Sequence, residues 1–434
     1  MNLPLTHPAK RAIIRQLKGE PEPGKLWLSF VFYKAPISMR RAHVRRIVMR
    51  EYIARRFQNR PSGLALNTEA LRRYSDVIDL SIGDTDFTTD KRIIDAAYAD
   101  ALAGHTHYGD PKGDPELIAA VRRAWREDFG QDVAEDEVLI TTSSCMGMSQ
   151  SLLALLNPGD EVIVFGPYFA DYRDQIELAG GAAVEVVTRA EDGYAPRRDA
   201  LVAAITPHTR AMIVNTPANP TGAAYDLPTL TMLADVAKER DLLVLADEIY
   251  TRYLYDGVFT PMRTLPGMAE RTITLNSFSK NFLMTGWRVG YIIAHPELIA
   301  AFKMVNDALT YAAPSVSQRA AIKALELRDD IADKYITRYR DRVLYAADAL
   351  AALPYLSIVR PRGTFYLFPG VEKTGMDDRA FCDFLLEKAH ILASPGSLFG
   401  RAGKDHIRLA CTVSDEKIKE AMRRFEALGK YFEK

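Results

Sequence analysis

What most restricts the fold of this 434-residue chain is a rhythm between residues 92 and 296. Glu137–Thr142, Glu161–Phe165, Ala183–Val187, Ala211–Val214, Leu242–Ala246, Thr272–Leu275 and Val289–Ile293 read as short strands. Before and between them, Glu116–Phe129, Met146–Leu156, Tyr172–Leu178 and Leu230–Arg240 carry apolar residues at helical spacing. Strands that are apolar along most of their length are covered on both faces, and an intervening helix supplies the crossover that parallel pairing requires. The pattern predicts an α/β fold: a large domain with a mostly parallel sheet flanked by helices, plus a smaller α+β domain. The second domain is expected after Pro296, where long helices run to about residue 353. Strand-like Leu356–Val359 and Phe365–Phe368 follow, then a helix near Arg379–Lys388, a strand at His406–Ala410 and a helix from Asp415 to Tyr431. The expected boundaries are 1–50 for an N-terminal extension and 51–90 for a segment covering the site with the small domain. The large domain is expected over 91–311 and the small domain over 312–434.

Composition narrows the function. Basic and acidic side chains both total 56, so no nucleic-acid partner is expected. The balance hides a basic start, since residues 1–60 carry fourteen Lys or Arg against three Glu. Residues 1–50 read as a solvated basic tail, with Met39 and Met49 offering later starts. Leu26–Tyr33, the longest apolar run near the start, is too short to cross a bilayer. Lys34-Ala35-Pro36 follows that run where a secretory leader needs a small-residue cleavage site. Cys145, Cys382 and Cys411 are too few and too scattered for a disulfide framework or a zinc site, so no metal is expected. These readings place the protein in the cytoplasm.

The residues with chemical potential cluster after strands. Ser277-Phe278-Ser279-Lys280 follows the Thr272 strand, with Arg288 eight residues beyond the lysine. A lysine at a strand end becomes a nucleophile when its surroundings lower its pKa. Asp247 and Tyr250 close the Leu242 strand, and a carboxylate there can hold a cationic ring nitrogen. Asn215 and Asn219 sit in one Pro-fixed loop after the Ala211 strand, and their amides can donate to a phenolic oxygen. Ser144 and Cys145 lie between a strand and a helix, where backbone N–H groups form an anion site. Phe169 follows the Glu161 strand and can face a flat ring. Arg408, inside an apolar strand, needs an anionic partner and suits a carboxylate. Ligands in open α/β sheets sit beyond the carboxyl ends of strands, so five of these groups land on one edge.

In this order and spacing the residues resemble the class I/II aminotransferases, the fold type I enzymes dependent on pyridoxal 5'-phosphate (PLP). The resemblance spans roughly residues 75–430 and includes Gly83-Asp84-Thr85-Asp86-Phe87 and Tyr108-Gly109 upstream. It implies that Lys280 carries the cofactor and shuttles a proton between the substrate Cα and cofactor C4′. Asp247 would keep the pyridine nitrogen protonated, Tyr250 and Asn219 would hydrogen-bond the ring oxygen, and Phe169 would stack on the ring. The phosphate would be held by Ser144, Cys145, Ser277 and Arg288, with Tyr108 reaching over from a partner subunit in a homodimer. Arg408 would clamp the substrate α-carboxylate, with Gly83 and Asn219 lining the same pocket.

Two departures matter. Ser143 and Ser144 stand where many relatives have glycines. Cys145 stands where aspartate-preferring relatives often carry a lysine that faces the substrate's distal carboxylate. A cysteine cannot make that ion pair, so an apolar or aromatic donor is expected over aspartate. A PLP lyase of the cysteine-S-conjugate β-lyase type shares the same residues and is the main alternative. An aminotransferase-like transcription regulator is a remote one, because residues 1–38 show no helix-turn-helix pattern.

Overall fold

The computed structural model describes residues 52–54 and 73–432. The expected basic extension over 1–50 and much of the expected covering segment before residue 73 lie outside the described residues. A two-residue strand β1 (Ile78–Asp79) comes first. Seven strands then build one sheet: β2 (Val138–Thr141), β3 (Glu161–Gly166), β4 (Ala182–Val187), β5 (Thr209–Asn215), β6 (Leu243–Asp247), β7 (Thr272–Ser277) and β8 (Gly290–Ile293). Their spatial order is 2-8-7-6-5-3-4. Only β8 runs against the others, pairing antiparallel with both β2 and β7. The sheet is therefore mostly parallel, as the strand–helix rhythm predicts.

Alternation along each strand divides the core between two faces. Val162, Val164, Ile213 and Leu245 pack on one side with Met148 and Leu152 of helix α3 (Ser143–Leu155), Tyr172 and Ile176 of α4 (Asp171–Leu178), and Phe302. Their neighbours Ile163, Met212, Val214, Val244 and Ala246 pack on the other, against Leu230, Leu233 and Val236 of α6 (Leu227–Glu239). Each such aliphatic side chain, fully buried, contributes about 1.5–3 kcal/mol. Helices α1 (Lys91–Leu102) and α2 (Pro115–Phe129) join Val138 and Ile140 of β2 and Ile293 of β8 in a further cluster. Asp90 and Asp114 cap these two helices by accepting the amides of Arg92 and Glu116. α5 (Arg198–Ala204) completes the set before β5.

Beyond β7 come the four-residue α7 (Phe278–Asn281), then α8 (Pro296–Leu309) and α9 (Ser315–Glu326). The long helices end with α10 (Thr337–Ala351). A small three-stranded sheet follows, in which β12 (Ile407–Ala410) lies between β9 (Tyr366–Leu367) and β11 (Ser394–Pro395). α11 (Asp378–Ala389) and α12 (Asp415–Ala427) accompany it. Separately, β10 (Ile391–Leu392) pairs in parallel with β1. This pairing matters for function, because it holds the following Ser81–Asp84 segment over the edge of the large sheet.

Two local expectations are corrected. Leu356–Val359 is not a strand. Leu356 is buried, but only Ser357 bridges to another segment, at Gly370. Apolar side chains bury a segment without giving its backbone a ladder. Helix α3 starts at Ser143 rather than Met146, so Ser144 and Cys145 occupy its first turn.

Candidate active site

The carboxyl ends of β2, β3, β5, β6 and β7 meet at a cavity of about 660 Å³. It is lined by Ser144, Cys145, Phe169, Asn219, Asp247, Tyr250, Ser277, Lys280, Arg288 and Arg408, with Gly83 from the covering segment. Arg288 reaches this edge because it precedes β8, the one reversed strand. Tyr108 does not. Its side chain is 89% exposed, edge-on to Tyr311, and outside the cavity.

Lys280 is placed by a capped turn. Ser277 Oγ, at the end of β7, accepts the Ser279 amide at 3.0 Å and starts α7. Lys280 Nζ then donates to the Gly83 carbonyl at 2.5 Å and lies 5.5 Å from the Phe365 ring centroid. Gly83 must be small, because any Cβ there would collide with the Tyr366 hydroxyl. Burial lowers the Lys280 pKa to about 8, helped by the positive Arg408 and Arg288 and opposed by Asp84. Competitive acetylation of the cofactor-free protein, read by mass spectrometry, should therefore show Lys280 reactivity rising with a midpoint near pH 8. A midpoint near that of surface lysines would remove the case for a tuned amine.

Asp247 ends β6 and is 7% exposed. Its Oδ2 accepts the Tyr172 hydroxyl at 2.5 Å, and its Oδ1 is buried with no partner among the described residues. Burial raises its pKa to about 6, while the Tyr172 hydrogen bond and, less strongly, the Ile249 backbone amide oppose the rise. Asn215 Nδ2 donates to the Asp247 carbonyl at 3.0 Å, and its Oδ1 accepts the Asn219 amide at 2.8 Å. The Asn215–Gly222 loop is thus tied to the end of β6. The Tyr250 hydroxyl donates to the Tyr366 hydroxyl at 3.3 Å.

The anion-binding features are equally concrete. Ser144 and Cys145 lie in the first turn of α3, where backbone N–H groups lack intrahelical partners. Ser143 takes a positive φ of 78°, so a serine holds the backbone shape that a glycine adopts at lower cost. Gly290 lets β8 lie directly against the Ser144 amide. Arg288 is exposed to the cavity and donates to the Thr285 carbonyl at 2.9 Å, with no ion pair among the described residues. The Cys145 thiol opens onto the cavity, yet desolvation by the protein around it, with the nearby Asp171 carboxylate, raises its pKa.

Arg408 is 2% exposed. It donates to the Ser81 carbonyl at 2.6 Å, to Asn219 Oδ1 at 3.2 Å and to Ser394 Oγ at 3.4 Å. Its guanidinium lies between the rings of Tyr366 and Phe399, 4.7 and 4.8 Å from their centroids. Nε has no partner, and no carboxylate pairs with this buried cation among the described residues. Such a cation calls for an incoming anion.

The motif reading missed Tyr172, Gln175, Tyr366, Ser81 and Ser394. Tyr172 was visible only as part of an amphipathic helix, although it stands three residues after Phe169. The others come from segments whose local pattern carries no chemical signal.

The donor set fits PLP. A buried carboxylate oxygen awaits a cationic N–H, a tuned amine stands near an anion-binding helix terminus, and an aromatic ring faces the cavity. Together the fold and the cavity define an enzyme that works through this cofactor. The sequence profile of the class I and II aminotransferases matches residues 75–425, and the chain belongs to that family, whose members depend on PLP. It is 36% identical to an arginine–pyruvate transaminase of Pseudomonas aeruginosa, over 80% of this chain and 89% of that one. It is 37% identical to aromatic-amino-acid aminotransferase 2 of Thermococcus litoralis, over 82% and 92%. The solved structure of Thermus thermophilus aspartate aminotransferase with maleate superposes with a TM-score of 0.81 at 35% identity, covering 87% of this chain and 99% of that one. No helix among the described residues is long and apolar enough to cross a membrane.

Proposed function

We propose that this aminotransferase takes the α-amino group from an apolar or aromatic amino acid, in preference to aspartate, and delivers it to a 2-oxo acid. The observation that carries the donor preference is Cys145. It lines the cavity at the head of α3, its thiol stays protonated, and it offers no charge to a distal carboxylate. The Asp171 carboxylate nearby opposes an acidic side chain further.

In this reading PLP, when bound, withdraws electrons from the substrate Cα and carries the amino group between substrates. Lys280 would hold the cofactor and would move the proton at the substrate Cα as general base and acid. Asp247 holds the ring N–H through its open Oδ1. Tyr250 and Asn219 would orient the ring oxygen, and Phe169 would cover the ring face. The amides of Ser144 and Cys145, with Ser277 and Arg288, bind the phosphate. Arg408 orients the α-carboxylate, with Gly83 and Asn219 beside it. Tyr108 would serve the site of a second copy in a homodimer, a reading supported by its exposure next to Tyr311 and by the exposed Tyr98 and Leu102 close by in sequence.

The test is a half-reaction without any 2-oxo acid acceptor. Enzyme loaded with PLP is mixed with single amino acids, and the released 2-oxo acid is counted. One equivalent per active site, largest for apolar or aromatic donors, supports the reading. Continuous release of pyruvate and ammonia would instead reveal a lyase. Cys145→Lys should raise kcat/KM for aspartate about ten-fold or more, the scale of one charge-assisted contact. If wild-type enzyme already favours aspartate or glutamate by a wide margin, the preference is wrong.

One observation favours a second reading, a cationic donor. Asp171 is half-buried, interacts with Arg408 and Cys145, and forms no ion pair among the described residues. One relative is named for arginine. Arginine or lysine leading the same panel would decide for it.

A further inference from the structure

The end of α4 nearest the cavity carries Tyr172, which meets both β6 and the preceding Phe169. Tyr172 is 3% exposed, and its hydroxyl meets Asp247 Oδ2 at 2.5 Å across 75 residues of sequence. Its ring also meets Phe169 edge-on, with centroids 5.5 Å apart. A carboxylate at the end of a strand can rotate about its Cβ–Cγ bond. Here one oxygen is occupied and the other, Oδ1, is buried without a hydrogen-bond partner among the described residues.

We propose that Tyr172 is a positioning residue. Its phenol locks the Asp247 carboxylate so that Oδ1 alone is presented to the cofactor's ring nitrogen, while its ring sets the tilt of Phe169 over the same cofactor. The inference rests on the PLP reading of the cavity and adds to it a residue outside the motif set.

The physics runs through competition for one charge. Burial alone disfavours an ionised Asp247, and a donor on Oδ2 favours it. A phenol suits this task because it does not titrate away. Burial and the neighbouring Asp247 hold the Tyr172 pKa well above the usual range, so its proton stays in place at every working pH. The other titratable groups facing the pair are Cys145 at the head of α3, Asp171 on α4, and Glu248 and Tyr250 beyond β6. Glu248 is itself buried and pushed up to about 8, chiefly by desolvation, so around neutral pH it adds little negative charge beside Asp247.

The test uses the holoenzyme and the variant Tyr172→Phe, which keeps the ring and its contact with Phe169 but removes the donor. The kcat should fall about ten- to a hundred-fold, the scale of one hydrogen bond to a charged group, with KM for the amino donor nearly unchanged. Losing the donor raises the Asp247 pKa, so the acid limb of the kcat profile should move to higher pH. PLP retained after equilibrium dialysis should also fall. In an Asp247→Asn background, Tyr172→Phe should cost no further PLP, because the phenol acts through the carboxylate. Equal losses of PLP in both backgrounds would mean a purely structural role and overturn the proposal. So would a Tyr172→Phe enzyme with wild-type PLP retention and acid limb. Should Tyr172→Phe fail to fold, Tyr172→His against Tyr172→Leu repeats the comparison with and without an N–H donor, and equal retention again overturns it. A wild-type protein that takes up no PLP would instead defeat the cofactor reading itself.

Discussion

Lys280→Ala is expected to lower kcat at least about 10⁴-fold, since in the proposed function it removes both the covalent attachment and the proton carrier at the substrate Cα. A positioned general base or acid alone is worth about 10²–10⁴. The variant should still fold and still take up PLP without a covalent bond. Lys280 makes no ion pair among the described residues, and its Nζ donates only to the Gly83 carbonyl. The remaining groups on the sheet edge do not depend on it for their placement. Asp247 is held by Tyr172, Arg408 by Ser81, Asn219 and Ser394. Single-turnover release of 2-oxo acid from a good donor is the measurement. Turnover near the wild-type rate would end the assignment of Lys280.

Asp247→Asn is expected to lower kcat about 10³-fold while making the cofactor-free protein more stable near neutral pH. In the proposed function the loss of rate follows from replacing a charge by a neutral amide of the same shape at the ring nitrogen, a change in electrostatic preorganisation worth several kcal/mol. The gain in stability follows from linkage. The folded-state pKa of Asp247 is about 6 against an ordinary value of 3.8. A raised carboxyl pKa contributes stability that is full below the unfolded pKa and lost as pH rises through the folded one. Above about pH 6 the ionised, buried carboxylate therefore costs about 3 kcal/mol, which the asparagine avoids. Thermal unfolding of the cofactor-free proteins should show the variant melting higher at pH 7.5, with the gap closing as pH falls from about 6 towards 3.8. A variant that melts lower at every pH would show that Asp247 is no strained charge. One that keeps full activity would show that it has no part in the chemistry.

Asp247 illustrates how far sequence reasoning reaches. Its place at the end of an apolar strand, three residues before Tyr250, was enough to single it out. The strain on it was not visible, because that depends on burial from β5, β7 and α4 together. Arg408 shows the same limit differently. An arginine in an apolar strand signals an anion, either resident or incoming. Only the assembled site shows that no carboxylate among the described residues pairs with it and that two aromatic rings lie against the guanidinium. Leu356–Val359 fails in the opposite direction. Its residues look like a strand, but strand formation needs a partner, and Gly370 offers only one bridge.

By itself the sequence determined the sheet, the edge and most of the site. Strand length, apolar runs and crossover helices force parallel pairing, and parallel pairing brings every strand's carboxyl end to one side. Residues 144, 169, 219, 247 and 280 meet for that reason alone. Tertiary structure decided the contacts that tune them: Tyr172 on Asp247, Tyr366 on Tyr250, and the Ser81 carbonyl on Arg408. These join residues 75, 116 and 327 positions apart. Local periodicity records which face of a strand or helix is buried, and it carries no information about which distant element will cover it.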